Sequence, residues 1–184
     1  GYGHGVVKFS KVWKLNLKTW RTSKLIDNNR VFTDIAVSPN ENYCAVVSKP
    51  DETLLSGEGW SYIEVHDLIS KESTVVTPDG WRASHPAPHG WLDNLEWSQD
   101  SRALAFTVGF DGYPAEINVI EQAENNWDLF QLDRPSGVHV DHGLSWKGSS
   151  RNLGFVGEEK ARQRVYMIKN IKNGKQGKNE TLVP

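Results

Sequence analysis

The chain has 184 residues, of which 38% are hydrophobic and 24% charged, with a formal net charge of −2. That size supports one domain with a true core, and the near-neutral balance gives no electrostatic reason to expect nucleic acid or an anionic membrane as partner. One cysteine, Cys44, excludes a disulfide framework or a cysteine zinc site within the chain.

No leader of the secretory type opens the sequence, and no apolar run is long enough to cross a bilayer as a helix. The chain starts with Gly1, not Met, which suggests a fragment or a processed product. A lone thiol suits the cytoplasm, and it suits a periplasm equally.

In chain order, the first element is "KVWKLNLKTW", an alternating apolar and polar run. Then comes "DIAVSPNENYCAVVS", Asp34 to Ser48: a strand, a polar turn and a short apolar strand. The same phrase returns as "NLEWSQDSRALAFTV", Asn94 to Val108, and as "GLSWKGSSRNLGFVG", Gly143 to Gly157. Val37, Trp97 and Trp146 share one column, at spacings of 60 and 49. Downstream of each phrase lies another alternating strand. Trp13, Ile63, Ile117 and Tyr166 are assigned to a second column, at spacings of 50, 54 and 49.

A period of 40 to 50 residues points to a propeller or a solenoid. Alternation of period two selects strand over helix. Each unit reads as four strands. The second strand is apolar on both faces, as in "LAF", and the last is polar and weak, as in "STVVT" or "WDLFQL". "EEKARQR" could be written as a helix, but its flanks are strands, so a hairpin is expected. The fold class is therefore all-β. It is a β-propeller of four-stranded antiparallel blades, with about three and a half blades present. The units run over 1–28 (a partial blade of outer strands), 29–77, 78–133 and 134–184. Propellers close with four to eight blades, so the ring is incomplete. Two copies would supply about seven blades, which makes a homodimer of half-rings one way to close it.

These repeats resemble the propeller domains of the prolyl oligopeptidase family of serine peptidases. They also resemble the related periplasmic translocation-type propellers. In those families a Trp-Ser-Pro-Asp-Gly phrase precedes "LAF" and an "IyVvd" strand. Here the phrase stands as Ser38-Pro39-Asn40, Trp97-Ser98-Gln99-Asp100 and Trp146-Lys147-Gly148. "FDGYPAEINVI", Phe110 to Ile120, is closest to the acylaminoacyl-peptidase-like branch. The resemblance implies a non-catalytic propeller that covers a hydrolase site and filters peptides. Its partners would be a hydrolase domain, or the remaining blades of the same or another chain, with a peptide as substrate. A stand-alone protein- or ligand-binding propeller is one alternative, and a metal-binding propeller that uses axial histidines is another.

No catalytic residue is found. The elbow Gly-x-Ser-x-Gly is absent: "GWSYI" and "GLSWK" both lack the second glycine. No cofactor is expected. His85 and His89 in "SHPAPHG", and His139, Asp141 and His142 in "VHVDHG", precede inner strands and fall near the axial mouth. There they could line the channel or hold a divalent metal. Asp93 aligns with His142. Trp60, Trp81 and Trp91 fall in loops. The insertion "KPDETLLSGEGWSY" offers Glu58 and Trp60, with Asp93, as contact residues.

Overall fold

The computed structural model describes residues 9–49, 61–85, 90–110, 112–124 and 126–182. A leading hairpin comes first, β1 (Lys11–Asn16) with β2 (Arg21–Asp27). The first whole blade is β3 (Val31–Val37), β4 (Tyr43–Lys49), β5 (Tyr62–Asp67) and β6 (Ser73–Val75), paired in that order. The second is β7 (Trp91–Trp97), β8 (Ala103–Phe110), β9 (Tyr113–Gln122) and β10 (Trp127–Leu132). The third is β11 (His139–Lys147), β12 (Asn152–Glu159), β13 (Arg162–Ile168) and β14 (Asn179–Thr181). All these pairs are antiparallel. One pairing, Val140 with Ala115, joins the second and third blades. Among the described residues the sheets do not close into a ring.

Local chemistry accounts for the elements. The "LAF"-type strands present apolar side chains to both faces, and β8 is buried between the first and third blades, with Leu104 and Phe106 in one cluster and Ala103 and Ala105 in the other. Ala103, Leu104, Ala105 and Phe106 are all fully buried. In the first two blades the polar turn after the inner strand is built by the same bonds. Ser38 Oγ accepts from Tyr43 N–H and bonds Asn40 Oδ1, while Asn40 Oδ1 also accepts from Asn42 N–H. Ser98 Oγ accepts from Ala103 N–H and bonds Asp100 Oδ1, which accepts from Arg102 N–H. The third blade has Lys147 where the serine would stand. Its turn becomes a short 3-10 segment, Gly148–Ser150, closed by Arg151 in the left-handed region. "EEKARQR" is a hairpin: Lys160 and Ala161 both take positive φ, as a two-residue primed turn requires.

The first sequence column is rotationally equivalent. Val37, Trp97 and Trp146 pair with Cys44, Leu104 and Leu153, each seven residues on. Trp97 donates its indole N–H to Ala36 O at 3.1 Å, and Trp146 donates to Glu96 O at 2.9 Å. Each tryptophan thus bonds the carbonyl just before its own counterpart in the preceding blade.

The second column needs correction. Cys44, Leu104 and Leu153 pair onward with His66, Ile120 and Ile168. Three residues before these stand Ile63, Ile117 and Val165, not Tyr166. The leading hairpin shows the same slip. Asn16 Oδ1 caps Lys18 and Thr19 as Asp67 Oδ1 caps Ile69 and Ser70, so Val12 is the counterpart of Ile63. Trp13 and Tyr166 belong with Glu64 and Asn118. A slip of one residue moves a side chain to the opposite face of the sheet. Trp91 also differs from expectation, since it begins β7 and does not lie in a loop.

Buried residues form one cluster per junction. Ile26, Cys44 and Val46 fill the junction between the leading hairpin and the first blade. Cys44 is fully buried, and its thiol is pushed up to about 11 by that burial. Only the thiolate attacks disulfide reagents. A thiol titration at pH 8 should therefore find no reactive group in the native protein and one per chain in denaturant.

Candidate functional site

The inner strands bulge near their starts. The register shifts between Phe32 and Asp34 in β3, between Asp93 and Glu96 in β7, and around His142 in β11. Asn94 (φ 58°) and Gly143 (φ 73°) hold the same position in the left-handed region, three residues before each tryptophan. Such bulges bend a strand and re-aim its side chains. Here they present polar groups at the mouth where the inner strands begin.

Asp34 uses both oxygens structurally: Oδ1 accepts from Ile35 N–H at 2.7 Å and Oδ2 from Leu95 N–H of the next blade at 3.0 Å. Asp93 Oδ1 accepts from Asn94 N–H at 2.9 Å, and the Asn94 amide donates to Thr107 Oγ1 at 2.9 Å. Asp93 also lines a cavity of about 230 Å³ with Thr33, Lys49, Ser61, Trp91 and Leu92. In the third blade, Asp141 Oδ2 lies 2.9 Å from His142 Nδ1 and accepts from Gln163 Nε2 at 2.8 Å. The Asp141 and His142 side chains are 43% and 60% exposed, so the pair faces solvent.

The expected residues are only partly assembled. Asp141 and His142 form a pair, and His139 is exposed at the start of the same strand. His85 is buried. Its Nε2 is 3.2 Å from Asn118 Nδ2 and its ring meets Trp81 edge-on at 5.3 Å. Among the described residues no group of three His, Cys, Asp or Glu stands close enough to hold a metal. Glu58, Trp60 and His89 lie outside the described residues.

Sequence reasoning missed a set of arginines in the segments that cross from one blade to the next. Arg30, Arg82 and Arg134 recur at a spacing of 52. Arg82 donates to Gly90 O at 2.8 Å and to Ser61 O at 2.9 Å, and burial pulls its pKa down to about 10. Arg134 donates to Val138 O at 2.8 Å and pairs with Glu116 at 3.4 Å. Arg30 packs over the Tyr62 ring, donates to Ser48 Oγ and pairs with Glu64 at 3.2 Å. The constant spacing in "NNR", "GWR" and "LDR" is the signal that would have found them.

Glu64 is the centre of the most buried charge cluster. Its other oxygen is 3.1 Å from His66 Nε2. Burial pushes the carboxyl upward, but bonds from His66 and Ser48 and the Arg30 charge outweigh it and hold the group below its ordinary value. On the opposite edge of the blades, Arg151 bridges Asp100 at 2.9 Å and Glu121 at 3.5 Å across the junction between the second and third blades.

Radiating four-stranded antiparallel blades, stitched by equivalent tryptophans around an open axis, define an incomplete β-propeller. No family model and no curated protein matches the chain. Solved structures do. A prolyl endopeptidase matches with a TM-score of 0.63 and 17% identity, over 92% of this chain and 24% of that one. The β-propeller domain of the trilobed protease from Pyrococcus furiosus, described as having an open velcro topology, matches with a TM-score of 0.57 and 17% identity, over 96% of this chain and 51% of that one. A TolB-like protein from Agrobacterium tumefaciens matches with a TM-score of 0.54 and 16% identity, over 88% of this chain and 52% of that one. The likeness is one of fold. The chain spans about half the length of two of these structures and about a quarter of the third.

Proposed function

We propose that this chain is the non-catalytic propeller portion of a serine peptidase of the prolyl oligopeptidase type, and that it limits peptide access to a hydrolase domain outside this sequence. The observation that carries the reading is the fold likeness to peptidase propellers over more than nine-tenths of the chain, joined to a sequence without a nucleophile elbow. The mouth supports it. Asp93, Asp141 and His142 are polar groups on bulged strands, suited to hydrogen-bonding an extended peptide on its way to the axis. In this reading the units at 1–28, 29–77, 78–133 and 134–184 are the partial blade and three whole blades of one domain.

The natural gene product that carries this sequence tests the proposal. A fluorophosphonate probe should label one serine per polypeptide. The labelled protein should cleave short peptides and spare folded proteins, and Asp141→Asn with His142→Gln should alter KM for peptides more than kcat. A gene product that never labels would overturn the peptidase reading and favour a stand-alone binding propeller.

A further inference from the structure

The outermost strands of the three whole blades meet in two different ways. Leu129 and Asn179 share a column, since they pair with Ile120 and Ile168. In the same frame Thr74 is the counterpart of Phe130, since they pair with Val65 and Val119. Between the second and third blades the rim is shut. Gln176 accepts from Asp133 N–H at 2.7 Å and donates to Asp133 O at 2.9 Å, and Asn179 donates to the same oxygen at 3.1 Å. Phe130 packs against the core beneath.

Between the first and second blades the rim is open. Leu129 has no polar group to offer where Asn179 has its amide, and Thr74 is exposed where Phe130 is packed. A groove of about 480 Å³ remains, lined by Thr74, Val75, Pro78, Trp81, Trp127 and Leu129. Its floor is apolar and firmly held, because Trp127 meets both Tyr43 and Trp97 edge-on at 6.1 Å. Its rim is acidic. Residues 72–81 and 124–129 contain Glu72, Asp79, Glu124 and Asp128 but no lysine or arginine. All four carboxylates are exposed. The flanking cations turn elsewhere: Lys71 donates to Leu68 O, and Arg82 to Gly90 O and Ser61 O.

We infer that this groove docks an extended segment of a partner protein, with lysine or arginine on either side of a large apolar residue. The shut rim shows what such an occupant supplies. The Gln176 carboxamide is chemically a peptide group, and an extended segment brings the same donor and acceptor. Its apolar side chain takes over Thr74 the place that Phe130 fills at the other rim, against the indoles of Trp81 and Trp127. Its cations meet the four carboxylates, which repel an acidic segment of the same shape. Both blades that form the groove are whole, so its opening does not depend on blades outside this sequence. Docking here is also independent of the peptidase reading. The groove lies on the outermost strands, whereas the mouth is built from the innermost.

Dye-labelled peptides test this by fluorescence anisotropy on the natural gene product, with any active serine first blocked by the fluorophosphonate. The probes are Gly-Lys-Lys-Leu-Trp-Leu-Lys-Lys-Gly, a version with glutamate for every lysine, and a version with serine for both leucines and the tryptophan. The first should bind saturably at one per chain and slow amide exchange along β6 and β10. The glutamate and serine versions should each bind at least about tenfold more weakly. Asp128→Lys should weaken the first peptide by at least about fivefold, and Glu158→Lys, the same reversal at an exposed site of the third blade, should leave it unchanged. Thr74→Phe, which builds into the groove the side chain that fills the other rim, should also block binding. Both Thr74 and Asp128 are exposed, so these variants should keep the native urea midpoint. Absence of binding by the first peptide would overturn the inference. So would equal binding of either altered peptide, or an equal effect of Asp128→Lys and Glu158→Lys, which would mark the attraction as one of overall charge.

Discussion

Trp97→Ala should lower stability by about 3–5 kcal/mol, the cost of emptying a large aromatic site in a packed core. The residue is almost wholly buried. It stacks on Tyr43 at 5.9 Å between ring centres and meets Trp127 edge-on at 6.1 Å. It also holds the carbonyl of Ala36 across the blade junction. Trp97→Phe keeps most of the ring volume and loses that bond, so it should cost about 1–3 kcal/mol. Trp146→Ala should resemble Trp97→Ala, since its indole makes the equivalent bond to Glu96 O. Val37→Ala in the same column should change stability by less than about 0.5 kcal/mol, because that side chain is 52% exposed. Domains hold about 5–15 kcal/mol in total, so the tryptophan truncations should shift urea midpoints visibly and the valine change should not. Equal shifts for Val37→Ala and Trp97→Ala would contradict the stitched-blade account.

The second large effect is expected at Glu64. Glu64→Ala removes the partner of Arg30 and His66 and leaves a guanidinium in a site where one of its nitrogens, Nη2, already has no partner. Breaking a buried pair from one side costs about 3–5 kcal/mol. Replacing Arg30 and Glu64 together by Met and Leu should cost less than Glu64→Ala alone, since no lone charge is left behind. The pH dependence has a definite sign. The folded carboxyl lies below its ordinary value of 4.5, so the unfolded chain binds the proton first as pH falls. The stability that Glu64 contributes is fully present above 4.5 and is lost as pH drops through the folded value. The gap in urea midpoint between the native protein and Glu64→Gln should be largest at neutral pH and close in acid. A gap that widens in acid would reverse the assignment.

The fold was legible because its signal is local and repeated. A phrase such as Trp97-Ser98-Gln99-Asp100 fixes a strand end, a turn whose serine and aspartate bond the backbone, and the apolar strand that follows. The phrase survives imperfectly at Lys147, and the turn there changes form while the strands keep their pairing. The second column was misread for a physical reason. Hairpin lengths differ among blades, and a count through them cannot resolve one residue, whereas one residue decides which face a side chain takes.

The candidate site was less legible. Asp141 and His142 are adjacent in sequence and paired in space. His85 has the same composition signal as the others, but it is buried against Trp81 and Asn118 because a 3-10 turn, Trp81–Ser84, precedes it. The crossover arginines carried no motif, only an even spacing whose meaning depends on which strands the crossing segments connect.

The sequence by itself determined that the chain is built of short strands in four-stranded modules, and that too few are present to complete a circle. Period-two alternation and turn chemistry act over a few residues, so one chain suffices to read them. The tertiary structure decided which face each strand residue takes, which histidine is buried, and where charges such as Glu64 and Arg30 meet. Those outcomes depend on how one blade sits against the next, and contacts between residues some fifty positions apart leave no local pattern to read.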